Sequence, residues 1–257
     1  MPHYYQAFDV HPNDLKKAID GVRALGIFGL NVTIPHKVAV MEWLDEVDEE
    51  ARLIGAVNTI ANKDGRLVGS NTDGQGYLRS LLSLLDTPLK DKTVLVIGAG
   101  GAARAIVTSL ALHGVKRMDI ANRTLEKADK LADHAGKFVP ASSLELKEAE
   151  ETLSRYDVIV NTTSVGMSPN VDAIPLSLQR LQIGTVVSDL IYNPLKTLWL
   201  KKAEEKGAII DNGVAMFVHQ GALSFQRWTG KLPNIERMKQ TVVNALKEDR
   251  QLDKNEK

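Results

Sequence analysis

The chain has 257 residues, and 32 Lys and Arg residues balance 32 Asp and Glu residues, so its formal net charge is zero. This balance gives no overall electrostatic reason to expect nucleic acid or an acidic membrane surface as a partner. The lack of cysteine excludes disulfides, thiolate metal sites and cysteine nucleophiles. No apolar stretch approaches the roughly 20 residues of a bilayer span, and the amino terminus does not resemble a signal peptide. We therefore expect a cytoplasmic protein of one or two domains.

The first third of the chain predicts a small, mixed α/β unit. Its predicted elements are a strand at Gly29–Ile34, a helix carrying Val38, Met41, Leu44 and Val47, and a hairpin of Ala56–Ile60 with Arg66–Gly69. The strand is expected to end at Pro35, and the helix is indicated by its apolar spacing. The hairpin turn is placed at Asp64-Gly65 because glycine tolerates a positive φ.

A polar, proline-containing stretch at residues 86–92 predicts a linker after the helix-like segment Tyr77–Leu85. Beyond it, short apolar strands alternate with helices. The predicted strands are Thr93–Ile97, Arg117–Ala121, Lys137–Val139, Asp157–Val160, Thr185–Asp189 and Ala208–Asp211. The predicted helices are Ala102–His113, Leu125–His134, Ser143–Arg155, Leu176–Leu181 and Thr197–Lys206. This alternation is typical of parallel βαβ units with helices on both faces, so we expect a doubly wound parallel-sheet nucleotide-binding domain.

After Asn212-Gly213 the chain is predicted to be helical again, at Ala215–Thr229 and Ile235–Leu246. These two helices do not continue the strand alternation, and we expect them to return to the first domain. The remaining residues, 247–257, are almost wholly polar and are expected to fray.

The strongest motif is a glycine-rich turn between a predicted buried strand and a predicted helix. It consists of Gly98, Ala99, Gly100, Gly101, Ala102 and Ala103. Gly98 suits a tight turn, and Gly100 lets the backbone approach a pyrophosphate, which the free amides of the helix amino terminus then bind. Ala103 replaces a third glycine but is small enough for close packing of helix on strand. The strand–turn–helix context predicts a dinucleotide site, the alternative being a structural turn without a ligand.

The end of the second strand of this domain predicts which dinucleotide is bound. NAD-binding domains place a carboxylate there, which hydrogen-bonds the 2′-hydroxyl of the ribose. This chain instead has Asn122, Arg123 and Thr124, followed by Lys127. A guanidinium and an ammonium suit a 2′-phosphate, so we expect NADP. The alternative is that Arg123 is only a solvated surface residue.

A second set of polar residues lies at the strand ends of the first unit, namely Thr33, Lys37, Asn58, Asn71 and Asp73. A dehydrogenase moves a proton as the hydride leaves, so it needs a group within hydrogen-bond reach of the substrate hydroxyl. Lys37 and Asp73 suit this work as a pair, with the amine moving the proton and the carboxylate orienting the substrate, although each alone is typical of a surface charge. His36 has no evident partner. None of the six histidines has metal-ligand spacing, so no metal is expected.

The order of these motifs resembles the shikimate dehydrogenases over essentially the whole chain. The matching segments are Asn31–Lys37, Gly55–Thr59, Asn71–Gly74, Gly98–Arg104, Asn122–Thr124, Asn161–Met167, Asp189–Pro194, Asn212–Met216 and Gln220–Ala222. The resemblance implies an α/β enzyme that reversibly reduces 3-dehydroshikimate to shikimate with NADPH, in aromatic amino-acid biosynthesis.

The resemblance also implies roles for individual residues. Lys37 resembles the proton-transfer residue and Asp73 its partner. The residues that resemble ligands of the substrate's hydroxyls and carboxylate are Thr33, Asn58, Tyr192 and Gln220, and a polyol acid suits such neutral hydrogen-bonding groups. Leu190 and Gly213 resemble the positions that border the nicotinamide, and Asn161–Met167 is expected near the same ring.

The chain departs from the family at its amino terminus. The family opens with a strand and helix that carry Ser-x-Ser, whereas here residues 2–8 resemble the family's second strand and the first serine is Ser70. We therefore expect an incomplete substrate domain at residues 1–87, a Rossmann-type NADP-binding domain at 88–213 and returning helices at 214–257. Alternatives to the family's activity are NADP binding with little turnover, or a quinate/shikimate dehydrogenase. A monomer and a homodimer both stay open.

Overall fold

The computed structural model describes residues 4–255, with side chains up to residue 248, as two compact units. The first unit comprises the chain up to Asn71 together with Arg227–Thr229, and the second comprises Thr72–Gln226 and the chain from Gly230. The division between the units lies ahead of the linker predicted at residues 86–92. The domain bounds at residues 87 and 213 stay a prediction.

The first unit is built on a four-stranded mixed sheet. Its elements are α1 (Leu15–Ala24), β1 (Gly29–Asn31), β2 (Glu46–Val47), α2 (Glu49–Ile54), β3 (Thr59–Lys63) and β4 (Arg66–Ser70). The strand order is β1-β3-β4-β2, in which β1 and β4 run antiparallel to β3 while β2 runs parallel to β4. The predicted hairpin is present, and its turn residues Asp64 and Gly65 both have positive φ, 54° and 89°.

The prediction of an α-helix after Pro35 is wrong. That stretch forms a short 3-10 helix at Ala39–Trp43 and then strand β2. Val40, which was not among the predicted apolar positions, is fully buried in the core of this unit, whereas the predicted Val38 is exposed. The backbone amide of Asp45 donates to the carbonyl of Leu67 at 3.1 Å. Pairing with β4 therefore overrides the helical pattern. Likewise, Tyr4–Phe8 is not a strand, and residues 1–3 lie outside the described residues.

The second unit is built on a six-stranded, wholly parallel sheet. Its strands are β5 (Thr93–Ile97), β6 (Arg117–Ala121), β7 (Ala141–Leu144), β8 (Val158–Asn161), β9 (Val186–Asp189) and β10 (Ile209–Asp211). Its helices are α3 (Asp73–Leu82), α4 (Gly101–Leu112), α5 (Leu125–Ala135), α6 (Leu146–Glu151), α7 (Leu198–Glu205), α8 (Gly213–Thr229, of which 227–229 belong to the first unit) and α9 (Ile235–Asn255). The order β7-β6-β5-β8-β9-β10 is that of a doubly wound dinucleotide-binding sheet, so the predicted fold class is confirmed.

Several predicted elements of this unit are displaced. The third strand is at Ala141–Leu144, because Lys137–Val139 is held by backbone bonds to the end of α5. The helix predicted at Ser143–Arg155 is shorter, since its first residues pair with β6 as part of β7. Leu176–Leu181 forms turns; its apolar residues Leu176 and Leu178 are buried without a helix.

The ends of the chain's last helices also differ from expectation. α9 runs to Asn255, so the predicted fraying from Lys247 is contradicted as far as that residue, and residues 256–257 lie outside the described part. No helix in the described part is long and apolar enough to cross a membrane.

Candidate functional site

The glycine-rich turn lies at the carboxyl end of β5, the central strand of the parallel sheet. Gly98 has a φ of +108°, and a Cβ there would lie 2.6 Å from Thr162 Oγ1, so this position excludes a side chain. The Gly98 amide donates to the carbonyl of Ala121 at 2.8 Å, which fixes the turn to the end of β6. Gly100 and Gly101 are exposed, and a Cβ on either would meet no atom within 4 Å. The turn therefore leaves room at the amino end of α4 for a ligand that binds to the protein backbone.

The amino terminus of α4 suits an anion. Gly100 precedes the helix, and no side chain in the described part caps it. The first amides of such a helix and its dipole favour a pyrophosphate. Ala103 is fully buried in the core, which agrees with its expected role in packing helix on strand. Ala99 is half-buried and Ala102 is exposed.

The loop after β6 brings the predicted 2′-phosphate residues together. The Asn122 side-chain amide donates to the carbonyl of Thr124 at 2.8 Å, and the Lys127 backbone amide donates to the same carbonyl at 3.1 Å. The side chains of Arg123, Thr124 and Lys127 are exposed at the start of α5. The arrangement therefore presents two cations beside the glycine-rich turn, because β5 and β6 are adjacent.

Leu190 and Gly213 are in direct contact, and both follow neighbouring strands of the sheet. A Cβ on Gly213 would lie 2.1 Å from the Leu190 carbonyl oxygen, which only glycine allows. The Gly213 amide donates to the carbonyl of Ile191 at 3.0 Å, and the Leu190 amide donates to that of Asn161 at 3.0 Å. These residues lie at the same edge of the sheet as the glycine-rich turn, where ligands of open α/β sheets bind.

Two predicted substrate residues of the second unit, Tyr192 and Gln220, lie beside α8 residue Phe217 or on α8 itself, and a third, Asp73, begins the neighbouring helix α3. Asp73 is the first residue of α3, which approaches α8 so closely that a Cβ on Gly76 would lie 2.8 Å from the Gln220 amide nitrogen. The Tyr192 and Phe217 rings lie 4.9 Å apart, and the Gln220 side chain donates to the Phe217 carbonyl at 2.9 Å. Tyr192 and Gln220 are thus linked through Phe217, and Asp73 begins the helix that packs against α8.

The predicted residues of the first unit form a cluster of their own. Thr33–Lys37 is a turn closed by a bond from the His36 amide to the Thr33 carbonyl at 2.9 Å. The Lys37 carbonyl accepts from the amide of Val57 at 2.8 Å, and Asn58, which is buried, accepts through its carbonyl from Val32. The turn that carries Lys37 is therefore fixed against the start of β3.

His36 has a structural role. Its Nε2 lies 2.8 Å from the Val10 carbonyl, so it joins the turn to the preceding chain. No group of three or more His, Cys, Asp or Glu side chains within residues 4–248 is arranged to hold a metal ion. Lys37 belongs to the first unit and Asp73 to the second, so the predicted catalytic pair stays a prediction.

Two buried carboxylates end β9 and β10, and the sequence analysis gave neither of them a role. Burial raises the pKa of Asp189 to about 6, although hydrogen bonds from Ile191, Thr197 and Asn161 oppose the shift. Burial also raises the pKa of Asp211, against hydrogen bonds from Ser188 and Ser80. The available signal was an aspartate at the end of each of these two strands, where an apolar residue is usual.

The fold and this site define a two-unit α/β protein of the dinucleotide-binding class. Profiles of one family match most of the chain: the shikimate dehydrogenase substrate binding domain at residues 1–60, shikimate / quinate 5-dehydrogenase at 81–169, and the shikimate 5'-dehydrogenase C-terminal domain at 213–243. The chain is 57% identical over 244 residues to the shikimate dehydrogenase (NADP(+)) of Geobacillus sp. (strain WCH70), which covers 95% of this chain and 88% of that protein.

The shikimate dehydrogenase (NADP(+)) of Bacillus subtilis (strain 168) is 53% identical over 95% of this chain and 87% of its own length. The crystal structure of shikimate 5-dehydrogenase from Thermus thermophilus in complex with NADP(H) and shikimate is 36% identical. It superposes with a TM-score of 0.82 and covers 93% of this chain and 86% of that one. The chain therefore belongs to the shikimate dehydrogenase family.

Proposed function

We propose that this protein is an NADP-dependent shikimate dehydrogenase, which reversibly reduces 3-dehydroshikimate to shikimate in aromatic amino-acid biosynthesis. The observation that carries the proposal is the 57% identity to a shikimate dehydrogenase (NADP(+)) over nearly the whole chain. The glycine-rich turn, the cationic loop after β6 and the residues around α8 support it.

The residues present fit NADP. Gly98, whose Cβ would fill the turn, and the uncapped α4 support a pyrophosphate site, to which Ala99, Gly100, Gly101 and Ala102 contribute backbone. Asn122, Arg123, Thr124 and Lys127 would hold the 2′-phosphate, since charge-assisted bonds to it favour NADP over NAD. Leu190 and Gly213 would border the nicotinamide. When bound, the cofactor exchanges a hydride with the substrate carbon.

The chain's own residues would bind the substrate and move the proton. Lys37 would transfer a proton to the substrate oxygen as the carbonyl is reduced, and would take it back in the reverse reaction. Asp73, at the amino terminus of α3, is a carboxylate that the helix dipole stabilises, and it would orient the hydroxyl that reacts. The neutral ligands of the ring would be Thr33, Asn58, Tyr192 and Gln220.

We further propose that residues 1–87 bind the substrate, that residues 88–213 bind NADP, and that residues 214–257 return to the substrate domain. A cytoplasmic location, and a monomer or homodimer as the assembly, stay predictions from the sequence.

Steady-state kinetics test this proposal. The rates are measured for shikimate and for quinate, each with NADP and with NAD. The expected result is the highest kcat/KM for shikimate with NADP. A higher kcat/KM for quinate would contradict the proposed substrate, and a higher value with NAD would contradict the role of Arg123. NADP binding without turnover of either substrate would favour a binding protein without enzymatic activity.

A further inference from the structure

Asp189 is a fully buried carboxylate at the carboxyl end of β9, and its two oxygens accept from three different segments. Oδ1 accepts from the Asn161 side-chain amide at 3.1 Å and from the Ile191 backbone amide at 3.1 Å. Oδ2 accepts from the Thr197 hydroxyl at 2.9 Å. One side chain therefore joins the end of β8, the turn after β9 and the start of α7.

Asn161, one of these partners, is itself bonded further into the same edge of the sheet. Asn161 Oδ1 accepts from the amide of Thr163 at 3.0 Å and from its hydroxyl at 2.7 Å. The neighbouring Thr162 donates through its hydroxyl to the Ile97 carbonyl at 2.7 Å, directly beside the glycine-rich turn. The network around Asp189 thus reaches from that turn to the loop after β9.

The loop after β9 is also held from its other side. The Asn212 side-chain amide donates to the Leu195 carbonyl at 2.8 Å, and the amide of Ser168 donates to the Asn193 carbonyl at 3.1 Å. Residues 190–197 are therefore bonded to the start of α8 and to the loop after β8. Asp189 supplies the only charged acceptor among these bonds, and bonds to charged groups are the stronger ones.

We propose that Asp189 is a positioning residue for the nicotinamide half of the cofactor, holding Leu190 against Gly213 without touching the cofactor itself. The inference rests on the proposed function, because it takes the segments around Leu190 and Gly213 as the border of the nicotinamide. A buried charge is costly unless it is fully bonded, and Asp189 is bonded by three donors. These bonds fix the geometry of the loop that carries Leu190 at the edge of the site.

The sharpest test compares two ligands, NADP and 2′-phospho-ADP-ribose, the same molecule without its nicotinamide. Asp189→Asn keeps the shape but removes the charge and turns one acceptor into a donor, so the charge-assisted bond from the Thr197 hydroxyl is lost. We expect the Kd of NADP to rise about tenfold, as for one lost bond to a charged group, and that of the fragment to change less than about twofold. Isothermal titration calorimetry measures both values without any turnover.

A second pair of variants keeps the test decisive if Asp189→Asn does not fold. Thr197→Val removes the hydroxyl that Oδ2 accepts from, and Thr197→Ser restores it, so the valine variant alone should show the selective loss of NADP affinity. The matched control is Thr185→Val. Thr185 directly precedes β9, the strand that ends at Asp189, and its buried hydroxyl donates to the Tyr156 carbonyl. This variant should leave both Kd values unchanged.

Three results would overturn the inference. Equal weakening of NADP and the fragment would show a general loss of structure, and unchanged NADP affinity in both Asp189→Asn and Thr197→Val would show that the network does not position the nicotinamide. Either result leaves the proposed function standing if the unmodified protein oxidises shikimate. A third result, an unmodified protein that binds neither ligand, would contradict the proposed function and this inference with it.

Discussion

At the scale of single residues, the choice of cofactor depends on which charged groups remain available after β6. The only acidic residue of that strand, Asp119, is buried; it accepts from the Tyr156 hydroxyl at 2.8 Å and forms an ion pair with Arg117 at 3.0 Å. Both oxygens of its carboxylate are therefore engaged by these two residues, and Asp119 is not available to bind a ribose hydroxyl. Arg123 and Lys127, by contrast, are exposed at the carboxyl edge, where a 2′-phosphate would lie.

Replacing Arg123 with alanine should therefore weaken NADP selectively. We expect the Kd of NADP to rise about 10- to 150-fold, or about 1.5–3 kcal/mol, because a charge-assisted bond to phosphate is lost. The Kd of NAD should hardly change. Arg155→Ala is the matched control, since Arg155 is an exposed arginine just before the amino end of β8. Equal losses for NADP and NAD in calorimetry would contradict the assignment.

The proton transfer assigned to Lys37 predicts a loss of rate rather than of cofactor binding. Lys37→Ala should lower kcat about 10²- to 10⁴-fold while the Kd of NADP stays unchanged, because general acid–base catalysis contributes about that much. Lys63→Ala, which removes an exposed lysine at the end of β3, should leave kcat unchanged. A Lys37→Ala protein with nearly normal kcat would exclude this role.

At the scale of elements, the position of α3 follows from two glycines that allow backbone contact. A Cβ on Gly74 would lie 2.1 Å from Ser109 Oγ on α4, and a Cβ on Gly76 would lie 2.8 Å from the amide nitrogen of Gln220 on α8. Asp73 begins this helix, so its position relative to α4 and α8 is determined by these close approaches. Larger residues would separate the helices.

Gly76→Ala tests this packing. The added methyl should cost about 1–3 kcal/mol of unfolding free energy, because an overpacked contact with backbone relaxes poorly. It should also raise the KM for shikimate, since it displaces Gln220. Gly221→Ala is the control: its Cβ would lie 3.7 Å from Met238 Cε, an ordinary contact. Urea unfolding of the two variants should differ, and equal stability would contradict the packing argument.

Some strands were predictable from the sequence and others were not. Strands β5 and β6 were predicted at their observed bounds: β5 is a short, almost wholly apolar run, and β6 stands out by its position in the alternation of strands and helices although it contains Arg117 and Asp119. β2 and β7 were missed, because each is defined by pairing with a distant strand rather than by its own pattern. The contact of Leu190 with Gly213 was likewise invisible, since sequence spacing carries no information about which strand ends are adjacent.

At the scale of the whole molecule, the buried Asp189 predicts a pH dependence of stability. Its pKa is about 6 in the folded protein, against an ordinary value of 3.8. A raised carboxyl pKa means that its stabilising contribution is complete below the ordinary value and is lost as the pH rises through about 6. The pKa of Asp211, whose charge acts on Asp189, is also raised by burial. The two carboxylates therefore change the free energy of unfolding in the same direction as the pH changes.

The difference between the unmodified protein and Asp189→Asn isolates this effect, because the other titrating groups largely cancel. Between pH 7 and pH 4, the unmodified protein should gain about 2 kcal/mol of unfolding free energy relative to the variant. Urea unfolding across this range measures the difference. A constant difference, or one that falls toward acid pH, would mean that Asp189 is not a costly buried charge.

The proposed function requires that this chain couple the oxidation of shikimate to the reduction of NADP. Incubating the purified protein with shikimate and excess NADP, and quantifying the NADPH formed beside the product by mass spectrometry, tests that claim directly. We predict one NADPH for each shikimate consumed, with 3-dehydroshikimate as the product and little reduction when NAD replaces NADP. Bound NADP that stays oxidised in the presence of shikimate would exclude this activity.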